Sequence, residues 1–262
     1  MRPPEARTYG RSTVNRRAQY LEALGIDTWG LRTQAAPEAA AIAPEPVAES
    51  APAAAAIEQT MSTKGPAEPL VEMAWEPLAA AVRECRLCGL EASRTQTVFG
   101  VGNRQAELLV VGEAPGADED QQGEPFVGRA GQLLNSMLRA GGFPRETVYI
   151  ANILKCRPPN NRDPAPAEVA CCLPYLKQQI ALIAPRLMLA VGRIAAQNLL
   201  ATETPIGKLR GAVHAFGEQR IPLIVTYHPA YLLRSPSEKR RVWTDLKLVR
   251  NELVRLRQQP GR

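Results

Sequence analysis

Three chemically able elements stand far apart in this chain. The turn Gly112-Glu113-Ala114-Pro115-Gly116 offers bare backbone and one carboxylate. Asn152 offers an amide that both donates and accepts hydrogen bonds. His228, one of two histidines, offers an imidazole. These elements close short apolar runs at 108–111, 148–151 and 223–227, and a fourth run at 187–191 ends at Gly192. Such runs mark strands buried on both faces of a parallel sheet. Ligands of open α/β sheets bind beyond the carboxyl ends of the strands. Turn, amide and imidazole are therefore expected at one crevice, the arrangement of an enzyme.

The cysteines carry a second possible chemistry. Cys85 and Cys88 form a C-x2-C pair, and Cys156, Cys171 and Cys172 follow far downstream. Adjacent cysteines supply one comfortable ligand to a tetrahedral site, so one of Cys171 and Cys172 is spare. Four thiolates from the set suit either zinc or an iron–sulfur cluster, and buried unliganded thiols are the third reading. If the site exists, it braces the crevice and does not perform its chemistry. Five cysteines in 262 residues make no disulfide scaffold, and the odd number fits a reducing compartment.

The elements that must position these residues alternate along the chain. Helical stretches are expected at 130–140, stopped by Gly141-Gly142, at 166–183 after a proline-rich loop, at 193–200, and from 235 towards 256. The βαβ alternation with short connections predicts a three-layer α/β/α sandwich around a four-stranded, mostly parallel sheet. This domain is placed at 73–257, with a tail at 258–262. Upstream, 1–34 reads as an extension with a short amphipathic helix at 16–29. Residues 35–72 read as a flexible linker, since 12 of the 22 residues from 35 to 56 are alanine and 4 are proline. The extension is either a handle for an unknown protein or inert.

Charge points to a polyanionic partner. The chain carries a formal net charge of +6. From 206 to 262 there are 12 Lys and Arg against 4 Asp and Glu, so the excess is gathered beside the expected crevice. A solvated basic helix is the plainer alternative. No apolar run approaches the ~18 residues of a membrane span, and no secretory signal is read at the N-terminus.

Four motifs occur in order: Gly112-Glu113-Ala114-Pro115-Gly116, Gly123-Glu124-Pro125-Phe126-Val127-Gly128, the stretch from Tyr149 through Asn152 and Cys156 to Pro159, and His228-Pro229-Ala230-Tyr231-Leu232-Leu233-Arg234. Together they resemble the family 4 uracil-DNA glycosylases, the iron–sulfur branch of that superfamily. The resemblance covers about Arg83 to Leu253. It implies excision of uracil from single- or double-stranded DNA, leaving an abasic site. It also implies a 4Fe-4S cluster on Cys85, Cys88, Cys156 and Cys172, with Cys171 spare.

The resemblance implies roles for the remaining residues. Gly112, Glu113 and Ala114 line the base pocket, Phe126 stacks on the base, and Asn152 reads its edge. His228 donates to uracil O2 as charge builds on the leaving base. In the best-known branch of the superfamily an aspartate stands where this chain has Ala114. Glu113, Glu119 and Asp120 are the nearby carboxylates, Glu113 first and Glu119 second to contact base or water, and positioning of the water by backbone carbonyls is the alternative. That branch also excludes thymine with a tyrosine where Gly116 stands here. Lys208, Arg210 and Gly211 resemble a phosphate-contacting loop, Arg234 adds a cation, and Leu232 or its neighbour is expected to wedge into the gap left by the flipped base. The implied protein is a cytoplasmic, nucleoid-associated monomer of a prokaryote. Two other readings stand beside it: a DNA-binding module without chemistry, and a nucleotide-binding enzyme using the turn at Gly112 for phosphate. The turn is neither G-x-G-x-x-G nor a Walker motif, which disfavours the latter.

Overall fold

The computed structural model describes residues 73–259. The extension with its expected helix at 16–29, the expected linker at 35–72 and the last three residues lie outside them.

Four parallel strands form the centre of the sheet: β2 (Leu108–Gly112), β3 (Tyr149–Asn152), β4 (Leu187–Val191) and β6 (Ile221–Thr226). Two short antiparallel strands flank them, β1 (Val101–Gly102) beside β3 and β5 (Val213–Phe216) beside β6. The order is β1-β3-β2-β4-β6-β5, six strands where the sequence led us to expect four. The added edges are short and half-exposed, so they lack the continuous apolar run that betrays a central strand.

The strands are buried because each face is covered. Residues of alternating parity point to opposite faces. Leu109, Val111, Ala151 and Met188 pack with Leu78 and Val82 of α1 (Trp75–Glu84), Leu176 and Ile180 of α4 (Pro166–Ile183), and Leu199 of α5 (Arg193–Leu200). Leu108, Val110, Ile150 and Leu189 pack with Leu134 and Leu138 of α3 (Arg129–Gly141) and with Leu246 and Val249 of α8 (Lys239–Arg257). This is the expected three-layer sandwich. Each fully buried leucine contributes about 1.5–3 kcal/mol relative to an exposed one. Helix α3 stops at Gly142, whose φ of 90° suits glycine and lets Phe143 N–H reach back to the Leu138 carbonyl. Three short helices occupy loops at the crevice: α2 (Ala117–Gln122), α6 (Ile206–Leu209) and α7 (Pro229–Arg234).

Candidate active site

Register brings the expected site residues together. Gly112 pairs with Asn152 across β2 and β3, and Val191 pairs with Thr226 across β4 and β6. All four strands thus end along one edge. A crevice of about 990 Å³ opens there, lined among others by Glu113, Ala114, Phe126, Asn152 and His228. The turn, the amide and the imidazole share this crevice, and Phe126 joins them.

Gly112 makes room for its neighbours. A Cβ there would overlap Asn152 Oδ1 and stand 2.5 Å from Phe126 Cζ. Asn152 is buried, and its Oδ1 has no hydrogen-bond partner among the described residues. A buried polar atom left unpaired costs free energy, so this oxygen is suited to an incoming donor. The Asn152 backbone carbonyl accepts from Lys155 Nζ at 3.0 Å.

His228 faces Phe126, their ring centroids 5.7 Å apart. Its Nδ1 accepts from the Ala230 N–H at 3.2 Å, which leaves the ring proton on Nε2. Burial above all, with Arg234 adding to it and Glu119 opposing, pulls the imidazole down to about 4. The side chain is therefore a neutral N–H donor at physiological pH.

The two candidate carboxylates differ in their surroundings. Burial, then the nearby charge of Asp163, pushes Glu113 up to about 7, while Arg193 opposes. No side-chain hydrogen bond engages it among the described residues. Glu119 is committed: its carboxylate accepts from the N–H groups of Gly116 at 3.0 Å, Val127 at 2.9 Å and Gly128 at 3.1 Å. Three backbone donors thus engage its oxygens and tie the Gly116 turn to the loop after Phe126, while Glu119 also lines the crevice.

Two of the expected DNA contacts are corrected. The Arg210 side chain is only 9% exposed and pairs with Asp245 at 2.7 Å while lying over the Tyr227 ring. Asp245 in turn accepts from Thr226 Oγ1 at 2.7 Å. A guanidinium so engaged is a strut beneath the strand end that leads to His228, not a free cation for phosphate. Leu232 is 0% exposed and packs in the core, whereas Leu233 is 41% exposed and lines the crevice. Lys208 on α6 and Gly211 just after it are exposed, and exposed Arg234 lines the crevice.

The five cysteines meet at one cavity, together with Arg94, Lys155 and Tyr175. Cys156 Sγ accepts from Arg94 Nη1 at 3.0 Å, and Cys172 Sγ accepts from the Lys155 N–H at 3.1 Å. Cys171 instead donates its thiol to the Leu87 carbonyl at 3.4 Å. Among the described residues, no group of three or more His, Cys, Asp or Glu is set as for one metal ion.

The sequence reading assigned no role to several residues here. Arg145 reaches the carbonyls on both sides of the Phe126 Cα, and Lys155 lies wholly buried between Asn152 and the cysteines. Arg193 and Asp163 pair at 2.6 Å near Glu113. Lys155 stands in one of the recognised motifs and only its partners were hidden. Arg145 stands in none.

Comparison with known proteins points to one superfamily. The model of the uracil DNA glycosylase superfamily matches residues 99–247. A type-4 uracil-DNA glycosylase of Archaeoglobus fulgidus is 47% identical over 183 residues, 66% of this chain and 92% of that protein. The type-4 protein of Thermotoga maritima is 44% identical over 168 residues, covering 63% and 86%. That of Sulfurisphaera tokodaii is 40% identical over 182 residues, covering 67% and 83%. With its Asn152, Phe126 and His228 gathered at the ends of a parallel sheet, the chain belongs to the uracil DNA glycosylase superfamily and, within it, to the type-4 branch.

Proposed function

We propose that this chain removes uracil from DNA by hydrolysing the bond between the base and its deoxyribose, leaving an abasic site. The observation that carries the reading is Asn152 Oδ1, a buried acceptor without a partner among the described residues, set beside an aromatic ring and a neutral imidazole donor. The names of the type-4 relatives support the same activity.

The target nucleotide is flipped out of the stack, as glycosylases require. Phe126 provides the flat apolar face. Asn152 Oδ1 accepts the uracil N3–H, and its NH2 group donates to O4. Cytosine presents the inverse pattern there and leaves buried groups unpaired, a penalty of about 1–3 kcal/mol per group. As the C1′–N1 bond breaks, its electron pair moves onto the base and charge gathers on O2. His228 Nε2–H donates to that oxygen. The sugar becomes oxocarbenium-like, and water adds at C1′ while its proton passes to the Glu113 carboxylate. Ala114 carries no base, so this task falls to Glu113. Lys208, the Gly211 turn and Arg234 grip the backbone, and exposed Leu233 takes the wedge position that buried Leu232 does not fit.

The five thiols gathered at one cavity support a 4Fe-4S cluster that Cys85, Cys88, Cys156 and Cys172 would hold. Two of these sulfurs receive hydrogen bonds from Arg94 and Lys155, contacts that tune and stabilise cluster thiolates. Cys171 spends its thiol on a carbonyl and is the spare. When bound, the cluster supplies a rigid cross-link between the segment before the sheet and the loop after Asn152. In this reading, 73–257 is the glycosylase domain. It works as a monomer on DNA in the cytoplasm, at the nucleoid, and the 1–34 extension is either a handle for a partner protein or inert. No helix among the described residues is long and apolar enough to cross a membrane.

Incubation with a uracil-containing oligonucleotide tests the activity. Free uracil and an alkali-labile strand are expected, both abolished or strongly reduced in Asn152→Ala. Binding without uracil release by the wild-type chain would leave only a DNA-binding module.

A further inference from the structure

Phe126 holds an unusual backbone. Its φ is 56°, a region that bulky side chains rarely enter. Such a conformation persists only where the surroundings over-determine it, and here they do so from two sides. Arg145 Nη2 donates to the Pro125 carbonyl at 2.7 Å, and Nη1 to the Phe126 carbonyl at 3.4 Å. Nη1 also donates to Asn135 Oδ1 at 2.9 Å, which anchors the guanidinium to α3. Glu119 holds the amides of Val127 and Gly128 from the other side. Gly131 closes the arrangement, since a Cβ there would overlap the Phe126 carbonyl.

We infer that Arg145 is a positioning residue for excision, acting through Phe126, an inference that rests on the reading of Phe126 as the base platform. Arg145 donates to the carbonyls before and after the strained Cα, so it fixes the two peptide planes that aim the ring. Only a planar fork spans three acceptors in this way; a lysine offers a single point of attachment. Without the clamp, the 125–127 segment relaxes towards ordinary φ and the ring leaves the Asn152 edge. The phosphate grip is untouched, because neither Arg145 nor Phe126 belongs to it.

A double-variant cycle decides this, using Arg145→Met, Phe126→Ala and their combination in the full chain. Arg145→Met is expected to slow single-turnover excision about tenfold, the scale of losing one strained backbone state. Inhibition by free uracil should weaken in step, while affinity for uracil-free DNA stays within about twofold. In the Phe126→Ala background, Arg145→Met should add little. Arg145→Lys should recover part of the rate, and it carries the same cycle if Arg145→Met does not fold. Independent multiplicative effects would overturn the inference, as would a parallel loss of DNA affinity, which would make Arg145 a phosphate contact. Hydrogen exchange at the Val127 and Gly128 amides is the readout besides activity, and it should speed up in Arg145→Met. If the wild-type chain released no uracil, the functional reading would fall, and unchanged exchange at these amides would separately overturn the clamp.

Discussion

In its proposed role, Glu113 gives excision a pH dependence that can be worked out in advance. Burial and the neighbouring Asp163 carboxylate push it up to about 7. Its proposed task, taking a proton from the attacking water, needs the ionised form. About one carboxylate in ten is ionised at pH 6 and about nine in ten at pH 8. Single-turnover excision at saturating enzyme should therefore rise about tenfold across that interval and level off above it. His228 titrates near 4 and adds no inflection there. Glu113→Gln should be slow and flat with pH. Stability should move the opposite way. The folded state holds the Glu113 proton to higher pH than the unfolded chain does. The neutral carboxyl therefore causes no penalty below about pH 4.5, and stability falls as pH rises from there through 7. Above pH 7 the full penalty is on the order of 2 kcal/mol once partial exposure is allowed for. Glu113→Gln should thus raise Tm at pH 8 and leave it unchanged near pH 4. A Glu113→Gln profile that rises like the wild type would refute the assignment and place the attacking water on other groups.

His228→Ala should lose about 10²–10³ in single-turnover rate, the usual loss for a donor aimed at a developing oxyanion, with DNA affinity nearly unchanged in a binding titration. Purified protein should be brown; Cys171→Ser should keep the colour and Cys172→Ser should lose it, whereas a colourless protein with stoichiometric zinc would remove the iron assignment. Arg210→Ala should destabilise the fold by about 3–5 kcal/mol by stranding Asp245, read as a large drop in Tm, and a loss of DNA affinity with unchanged Tm would return Arg210 to the phosphate grip.

The sequence showed the centre of the fold more clearly than its margins. Runs such as 187–191 are apolar on both faces, which only a doubly covered strand requires, so β2, β3, β4 and β6 were legible. Strand β5 alternates exposed and half-buried residues, and β1 is two residues long, so neither announced itself. Asn152 and His228 were found because strand ends define where side chains converge. The fate of Arg210 was hidden because its carboxylate partner lies 35 residues away, and charge counting cannot see a pairing. Leu232 and Leu233 differ only in the phase of a six-residue helix, which the sequence left open. The left-handed backbone of Phe126 was invisible because nothing in a phenylalanine codon position reports φ, and its clamp is one arginine among many.

The strand order has a kinetic consequence. β2 sits between β3 and β4, and β4 separates it from β6, so no hairpin links the strands that bear Asn152 and His228. Their crevice closes only after helical crossovers have delivered all four central strands, a non-local assembly that folds slowly. Nascent or partly refolded chains hold Asn152 and His228, the proposed base reader and leaving-group donor, apart. Bond-breaking power therefore arrives last, after the sheet is complete, and recovery of excision during refolding should lag behind recovery of helix content.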